Sequence, residues 1–343
     1  MPLILLIIKI YIKILISKVY KLTMKILAIQ NRMGIGDTVI FLPFIKAISN
    51  KFGVPVSLLV KENSKANEFL YQTNYIDEII HLERDNKIYQ KHDGFKGFFK
   101  LASDLKKYNF NKVFIFNSSL RYNLISRIAG IKEIFQYPLF EKKNQHIIEP
   151  AKAIVKKYLD IETVDNPEIQ IDNKIVKKSA ANLNINNEEF NVLLGIGGSG
   201  PTKRVPSKTF LNVMEKLENL KKCRFFLATG KNKDEQKILT ELYNTKFKEK
   251  CVALDNLNIR ETLPIIKNCN IAICNDTSFS HLSSALGIKT ITLMADTPLI
   301  YGSYSTNMYP VIPDGETTVS HNTLGKDKIN PDKIYEKLLS IIN

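Results

Sequence analysis

From Met24 onward the chain repeats one order of positions: a short apolar run, a polar loop containing glycine, then apolar residues at helical spacing. Residues 26–30 predict a buried strand, 31–36 a glycine-bearing loop, and 38–52 a helix kinked at Pro43. Residues 56–60 and 79–82 predict short strands, 97–108 a helix and 112–116 a strand. The polar, asparagine-rich stretch 161–187, with Pro167, reads as a linker carrying a short helix. The same order then starts again. Strands are expected at 190–196, 224–228, 251–254, 269–274 and 290–294. Helices are expected at 207–220 (with Ser207 as its N-cap), 233–243, 259–268, a stretch ending at Gly287, and 331–342. Such alternation implies parallel sheets covered by helices on both faces. The simplest architecture is α/β, with two Rossmann-like doubly wound domains facing each other across a cleft. The expected divisions are a first domain at 24–165, a linker at 166–187, a second domain at 188–325 and a closing helix at 326–343.

Composition narrows the partners. The 343 residues carry a formal charge of +15, which calls for an anionic partner or surface. Residues 1–165 hold 26 Lys/Arg against 15 Asp/Glu, whereas 166–343 hold 23 against 19, so the excess lies in the first half. Nucleic acid is not expected, because neither clustered arginine interleaved with aromatics nor a nucleic-acid motif is visible. Cys223, Cys251, Cys269 and Cys274 lie in or beside apolar runs without zinc-type spacing, which reads as buried reduced thiols. The five histidines form no metal motif, and no two aspartates stand two apart, so no metal site is expected.

Residues 3–19 are strongly apolar but broken by Lys9, Lys13 and Lys18, too short an uninterrupted run to span a bilayer. Lys9, Lys13, Ser17 and Lys21 share one side of a helical wheel, with mostly Ile and Leu opposite. Two readings stand: a helix lying in an anionic membrane surface, or translation starting at Met24.

Three loops carry candidate chemistry. In the first, Arg32 to Thr38, Gly34 and Gly36 permit close backbone approach to a ligand. Asp37 lies at a helix start, where the dipole keeps it ionised; it is either a helix cap or a general base. The second, Gly195-Ile196-Gly197-Gly198-Ser199-Gly200, fits a dinucleotide-binding spacing letter for letter. Pro201 and Pro206 delay the helix, however, and the next strand ends without an acid for a ribose. What remains is a loop bearing Thr202, Lys203 and Arg204, either solvated surface charge or cations for a diphosphate. The third, Asn275 to Gly287, stands where a strand's carboxyl end meets a helix's amino end. Asp276-Thr277-Ser278 there either caps the helix or binds phosphate.

Together and in this order these segments resemble glycosyltransferase family 9, the bacterial lipopolysaccharide heptosyltransferases. The resemblance rests on Gly36-Asp37 with Pro43 six residues later, on Lys203-Arg204-Val205-Pro206, and on Asn275-Asp276-Thr277 through His281 to Ala285-Leu286-Gly287. Ser278 stands where the family carries glycine, Val205 where it carries tryptophan, and Ser283-Ser284 where it carries small apolar residues.

The resemblance implies a GT-B fold, with the acceptor on the first domain and the nucleotide-sugar on the second. It implies inverting, metal-independent transfer needing no cofactor, with Asp37 as base. Lys203, with Thr202 and Arg204 in its loop, would hold the diphosphate. Asp276 would bind sugar hydroxyls, the Thr277 and Ser278 backbone would meet phosphate, and His281 would either touch the donor or orient the Asp276 loop. The implied donor is an ADP-sugar, with heptose among the candidate sugars. The implied acceptor is an anionic lipid-linked glycan met at the cytoplasmic face of the membrane, through peripheral contact. A nucleotide-sugar epimerase of the same fold and a non-catalytic nucleotide-sugar-binding protein are the alternatives.

Overall fold

The structure is a computed structural model that describes residues 24–32, 34–84, 90–139, 147–162, 166–186 and 188–342. Residues 1–23, where the two amino-terminal readings fall, lie outside them. The chain forms two compact units, the first drawn from Met1–Ala66 and Thr73–Asp165, the second from Asn67–Gln72 and Asn166–Asn343. Each is a Rossmann-like α/β unit, as the alternation implied.

The first unit runs β1 (Ile26–Ile29), α1 (Ile35–Phe52) and β2 (Val56–Lys61) to a one-turn helix α2 (Ala66–Phe69) that leads into the second unit. It resumes with β3 (Ile76–Leu82), α3 (Gly94–Lys106), β4 (Lys112–Ile115), α4 (Leu120–Ile128), β5 (Glu133–Gln136) and α5 (Ile148–Leu159). Its sheet is parallel throughout, in the order β3-β2-β1-β4-β5. β1 is buried on both faces, which is why its sequence is continuously apolar rather than alternating. Leu27, Ile29, Val113, Ile115 and Tyr122 meet in the core on one face of this sheet. The first helix begins at Ile35, three residues earlier than its pattern predicts, because Gly34 takes φ +103° and turns the chain into it. It ends at Gly53, whose left-handed backbone returns an N–H to Ser49.

The second unit comprises α6 (Asn173–Asn182), β6 (Phe190–Gly195), α7 (Ser207–Leu220), β7 (Cys223–Ala228), α8 (Lys233–Tyr243) and β8 (Cys251–Ala253). There follow α9 (Ile259–Lys267), β9 (Ile271–Asn275), α10 (Ser278–Ala285), β10 (Thr290–Leu293), β11 (Met308–Val311) and α11 (Pro331–Ile342). Its parallel sheet has the order β11-β10-β9-β6-β7-β8. The expected N-cap Ser207 is corrected: Pro206 caps α7, its fixed φ suiting the entry, and the Ser207 hydroxyl donates to Glu241. The segment 67–72 is built into this unit. Glu68 accepts the Ile259 N–H at 3.0 Å, Arg260 lies 3.9 Å from the Tyr71 ring centre, and Gln72 accepts the Asp172 N–H.

Both sheets reverse direction once. In the first the chain steps outward from β1 to β3 and returns to β4 on β1's other side; in the second it does so at β6 and β9. At such a switch point the flanking loops part at the strands' carboxyl ends, leaving a crevice.

Candidate functional site

In the first unit the crevice is bounded by the loops after β1 and β4. Buried Gln30 braces the first, donating from Nε2 to the Asp37 carbonyl at 3.0 Å and accepting the Arg32 N–H at 2.7 Å. The Thr38 hydroxyl donates to the Gly34 carbonyl. Asp37 lies in the first turn of α1, and the N-cap position is Gly34, which offers no side-chain cap. Gly34 and Gly36 thus flank the turn that presents Asp37. Asn117, following β4, donates to Asn31 at 3.1 Å and ties the two loops together.

A cavity of about 540 Å³ opens here, lined among others by Arg32, Phe41, Asn117, Tyr137, Lys157 and Tyr158. Among the described residues the Tyr137 hydroxyl is buried without a hydrogen-bond partner, and burial raises its pKa against the opposing charge of Arg32. An unpaired buried hydroxyl beside a cavity is a ready contact for a ligand's polar group. The sequence reading missed Tyr137, because it follows β5, a short strand that the pattern did not reveal.

In the second unit the loops after β6 and β9 are bound to each other. Gly195 pairs with Cys274 so closely that an added Cβ would lie 2.6 Å from the Cys274 sulfur. Fully buried Asn275 donates to the carbonyls of Ile196 and Gly197 at 2.9 and 3.0 Å and accepts the Val205 N–H. Val205, where tryptophan was the family's residue, fills the core completely enclosed. This lacing carries Lys203 to Asp276, Nζ to Oδ2 2.9 Å, with the carboxylate only 5% exposed and the lysine 25%.

His281 approaches the other carboxylate oxygen, Nε2 to Oδ1 3.7 Å, and its Nδ1 lies 2.9 Å from the Tyr304 hydroxyl. A carboxylate only accepts, so an Nε2 hydrogen faces Asp276, while the Tyr304 hydroxyl holds the other ring nitrogen. Burial is the largest influence on Asp276 and opposes its charge. The hydrogen bond and charge from His281, with those from Lys203, outweigh it and hold the carboxyl below the usual range. Burial, with the Asp276 charge, keeps Tyr304 protonated.

Thr277 is the N-cap of α10, its hydroxyl accepting the Phe279 N–H, so neither Asp276 nor Ser278 plays that part. Thr277 and Ser278 form the partly exposed first turn beside this cluster. Lys203, Asp276, Thr277, Ser278 and His281 are therefore one constellation: a cation, an ionised carboxylate and a helix amino end, able to meet phosphate and hydroxyl groups together.

The other two loop residues face elsewhere. Arg204 binds Asn232 at 3.1 Å and Asp234 at 3.0 Å, which fastens the loop to the start of α8. Thr202 lies near Asp296 and helps hold its carboxyl below the usual range, and Asp296 accepts the Leu324 N–H at 2.9 Å. The Gly198 N–H donates to buried Glu235 at 2.7 Å, so this glycine-rich loop directs one of its amides inward rather than toward a dinucleotide. Glu235, Asp296 and Tyr304 were not singled out from the sequence; each reaches the site through topology alone. Among the described residues no group of three or more His, Cys, Asp or Glu is placed to hold a metal, and no helix is long and apolar enough to cross a membrane.

The family model for glycosyltransferase family 9 (heptosyltransferase) matches residues 99–323. Lipopolysaccharide heptosyltransferase 1 of Campylobacter coli is 24% identical over 344 residues, covering 91% of this chain and 96% of that one. Among solved structures, E. coli ADP-heptose lipopolysaccharide heptosyltransferase II superposes with a TM-score of 0.71 at 15% identity, covering 93% of this chain and 98% of that one. A family 9 glycosyltransferase from Veillonella parvula gives 0.74 at 14% identity, covering 93% and 97%. At these identities the two structural likenesses speak for the fold.

Proposed function

The chain belongs to glycosyltransferase family 9, and on that premise we propose that it transfers a sugar from an ADP-sugar donor to an anionic, lipid-linked glycan of the lipopolysaccharide type. The observation that carries this reading is the Lys203–Asp276–His281 constellation at the switch point of the second unit. The relatives named for ADP-heptose and lipopolysaccharide favour heptose as the sugar. The acceptor belongs to the first unit, whose chain is the more basic, and is met at the cytoplasmic face of the membrane.

In the proposed reaction an acceptor hydroxyl oxygen bonds to the anomeric carbon and its proton passes to the Asp37 carboxylate. The bond from that carbon to the diphosphate breaks, and the departing nucleotide keeps the electron pair. One displacement inverts the anomeric configuration. Lys203 offsets the charge growing on the leaving oxygen, the part a metal plays elsewhere, so we propose transfer without a metal. Asp276 accepts from sugar hydroxyls, and the amino end of α10 meets phosphate through the backbone of Thr277 and Ser278. His281, held by Tyr304, fixes the carboxylate's orientation.

Asp37→Asn tests the assignment: turnover should fall roughly 10²- to 10⁴-fold while donor affinity survives. Unchanged turnover would remove Asp37 from the mechanism. Thermal-shift comparison of ADP-, UDP- and GDP-sugars identifies the donor base, with ADP expected to give the largest rise. An isomerised sugar formed without acceptor would assign the site to epimerisation instead.

A further inference from the structure

Among the described residues of the first unit, two helices carry exposed apolar side chains. On α3, Phe95 is 79% exposed and Phe99 47%; on α4, Leu120, Leu124 and Ile128 are each more than 40% exposed. Within each helix these residues stand four apart, so each set forms one stripe. The two helices pack on each other, and Arg121 of α4 lies over the Phe98 ring of α3, 5.4 Å from its centre. The phenyl rings of Phe95, Phe98 and Phe99 touch edge to face, with centroids 5.0 and 5.1 Å apart.

This face is held firmly. Arg121 donates to the carbonyls of Gly94 at 3.1 Å and His92 at 2.8 Å, which clamps the start of α3 to α4. Buried His92 accepts the Glu83 N–H and lies 3.4 Å from Asp104. Gly97 lets the His92 backbone come so near that a Cβ would sit 2.2 Å from its carbonyl carbon. The start of the helix that bears the exposed rings is thus anchored, and solitary apolar residues are the norm where no partner exists.

Charge indicates the partner. Lys96 and Lys100 each follow an exposed phenylalanine by one residue, placing them about 100° round the helix from the rings, and Arg127 flanks Ile128 likewise. Residues 90–132 hold nine Lys/Arg and two Asp/Glu. One of those acids, Asp104, is already ringed by Lys91, Lys100 and Lys107. A second copy of this chain would bring like charge against like, and protein interfaces are depleted in lysine at their centres. Apolar side chains rimmed by cations suit the boundary between headgroups and acyl chains of an anionic bilayer.

We propose that the paired faces of α3 and α4 form a membrane-docking surface, inserting Phe95, Phe99, Leu120, Leu124 and Ile128 among anionic lipids. It rests on the functional reading only for the lipid anchor of the acceptor; the surface itself is separate from Asp37 and from the donor constellation. Docking here would keep the first unit where a lipid-linked acceptor is presented.

The test uses the full chain and vesicles of phosphatidylcholine with and without phosphatidylglycerol. The sequence has no tryptophan, so Phe99→Trp supplies a single indole reporter on the face itself. On phosphatidylglycerol vesicles its emission should move to shorter wavelength and be quenched by bromine-labelled acyl chains. Phe95→Ser with Phe99→Ser should lower partitioning roughly 10- to 100-fold, since two partly exposed phenyl side chains would no longer be withdrawn from water. That double variant should keep the parent's transfer to a soluble, delipidated acceptor. Vesicle-bound protein with unchanged indole emission overturns the proposal and places the contact elsewhere, residues 1–23 included. A parent chain that does not bind vesicles overturns it too, as does a dimer that the double variant dissociates. Loss of transfer in the parent, with the vesicle results intact, would count against the functional reading alone.

Discussion

Replacing Lys203 with methionine removes an ammonium and keeps most of its apolar stem, and two separate effects should follow. The first is structural. At 2.9 Å from a carboxylate that is 5% exposed, the ammonium's gross attraction is about 4 kcal/mol for charges ~4 Å apart at an effective dielectric near 20. Desolvation cancels much of it, and the lysine itself keeps a quarter of its surface in water. Breaking a wholly buried pair costs about 3–5 kcal/mol, but here His281 still faces the other carboxylate oxygen, so about 1–2 kcal/mol is expected. For a unit of this size that is roughly 2–8 °C in Tm. The second effect is chemical. If Lys203 neutralises the departing diphosphate, about 2–4 kcal/mol of transition-state stabilisation disappears, so kcat/KM falls roughly 30- to 700-fold. Calorimetry reads the first, and initial rates of nucleotide release read the second. A fall in Tm with kcat/KM within about threefold of the parent would refute the chemical role and leave Lys203 a brace for Asp276.

Asp276→Asn should destabilise the protein at neutral pH by an amount that shrinks in acid. The native carboxyl titrates below its unfolded value near 4, so its contribution is complete above that value and is lost as pH falls through the folded one. The gap between the two proteins' melting temperatures should hold steady down to about pH 4 and narrow only below it; a gap that stays constant on further acidification would contradict the ion-pair account. Gly195→Ala should cost about 1–3 kcal/mol by overpacking, because the new methyl meets the Cys274 sulfur and lies 3.2 Å from its Cα. A lower urea midpoint with unchanged slope is expected, and an unaltered midpoint would show that β6 and β9 yield more readily than their spacing suggests. All four cysteines are buried, with burial pushing the Cys223, Cys251 and Cys274 thiols up to about 12. The native chain should therefore resist a thiol reagent at pH 8 and react fully once denatured; rapid native labelling would point to local opening of the second sheet.

The strand-loop-helix rhythm was legible because parallel strands buried on both faces read as unbroken apolar runs, as β1, β6 and β9 do. Several elements that escaped notice lie at sheet edges or start unusually. β5 is a four-residue strand with only Gln136 fully buried, and β11 contains Pro310, which an edge strand tolerates and a central one does not. Gly36 disguised the first turn of α1, and Pro150 that of α5. At the site, residues that act through local sequence could be found: Lys203 and Asp276 stand in loops directly after strands. Their supports could not. Tyr304 reaches His281 and Glu235 reaches Gly198 over 23 and 37 positions, so only the folded sheet brings them together.

The stretch Asn67–Gln72 has a consequence for how this molecule is made. It leaves the ribosome long before α9, yet its Glu68 and Tyr71 meet the first turn of that helix. The later half of the polypeptide thus completes itself on a piece synthesised with the earlier half. A gene fragment encoding 166–343 would leave the Ile259 N–H without Glu68 and Arg260 without its ring. No single cut yields two self-sufficient halves, and a split or permuted version must carry 67–72 along with the carboxyl-terminal part.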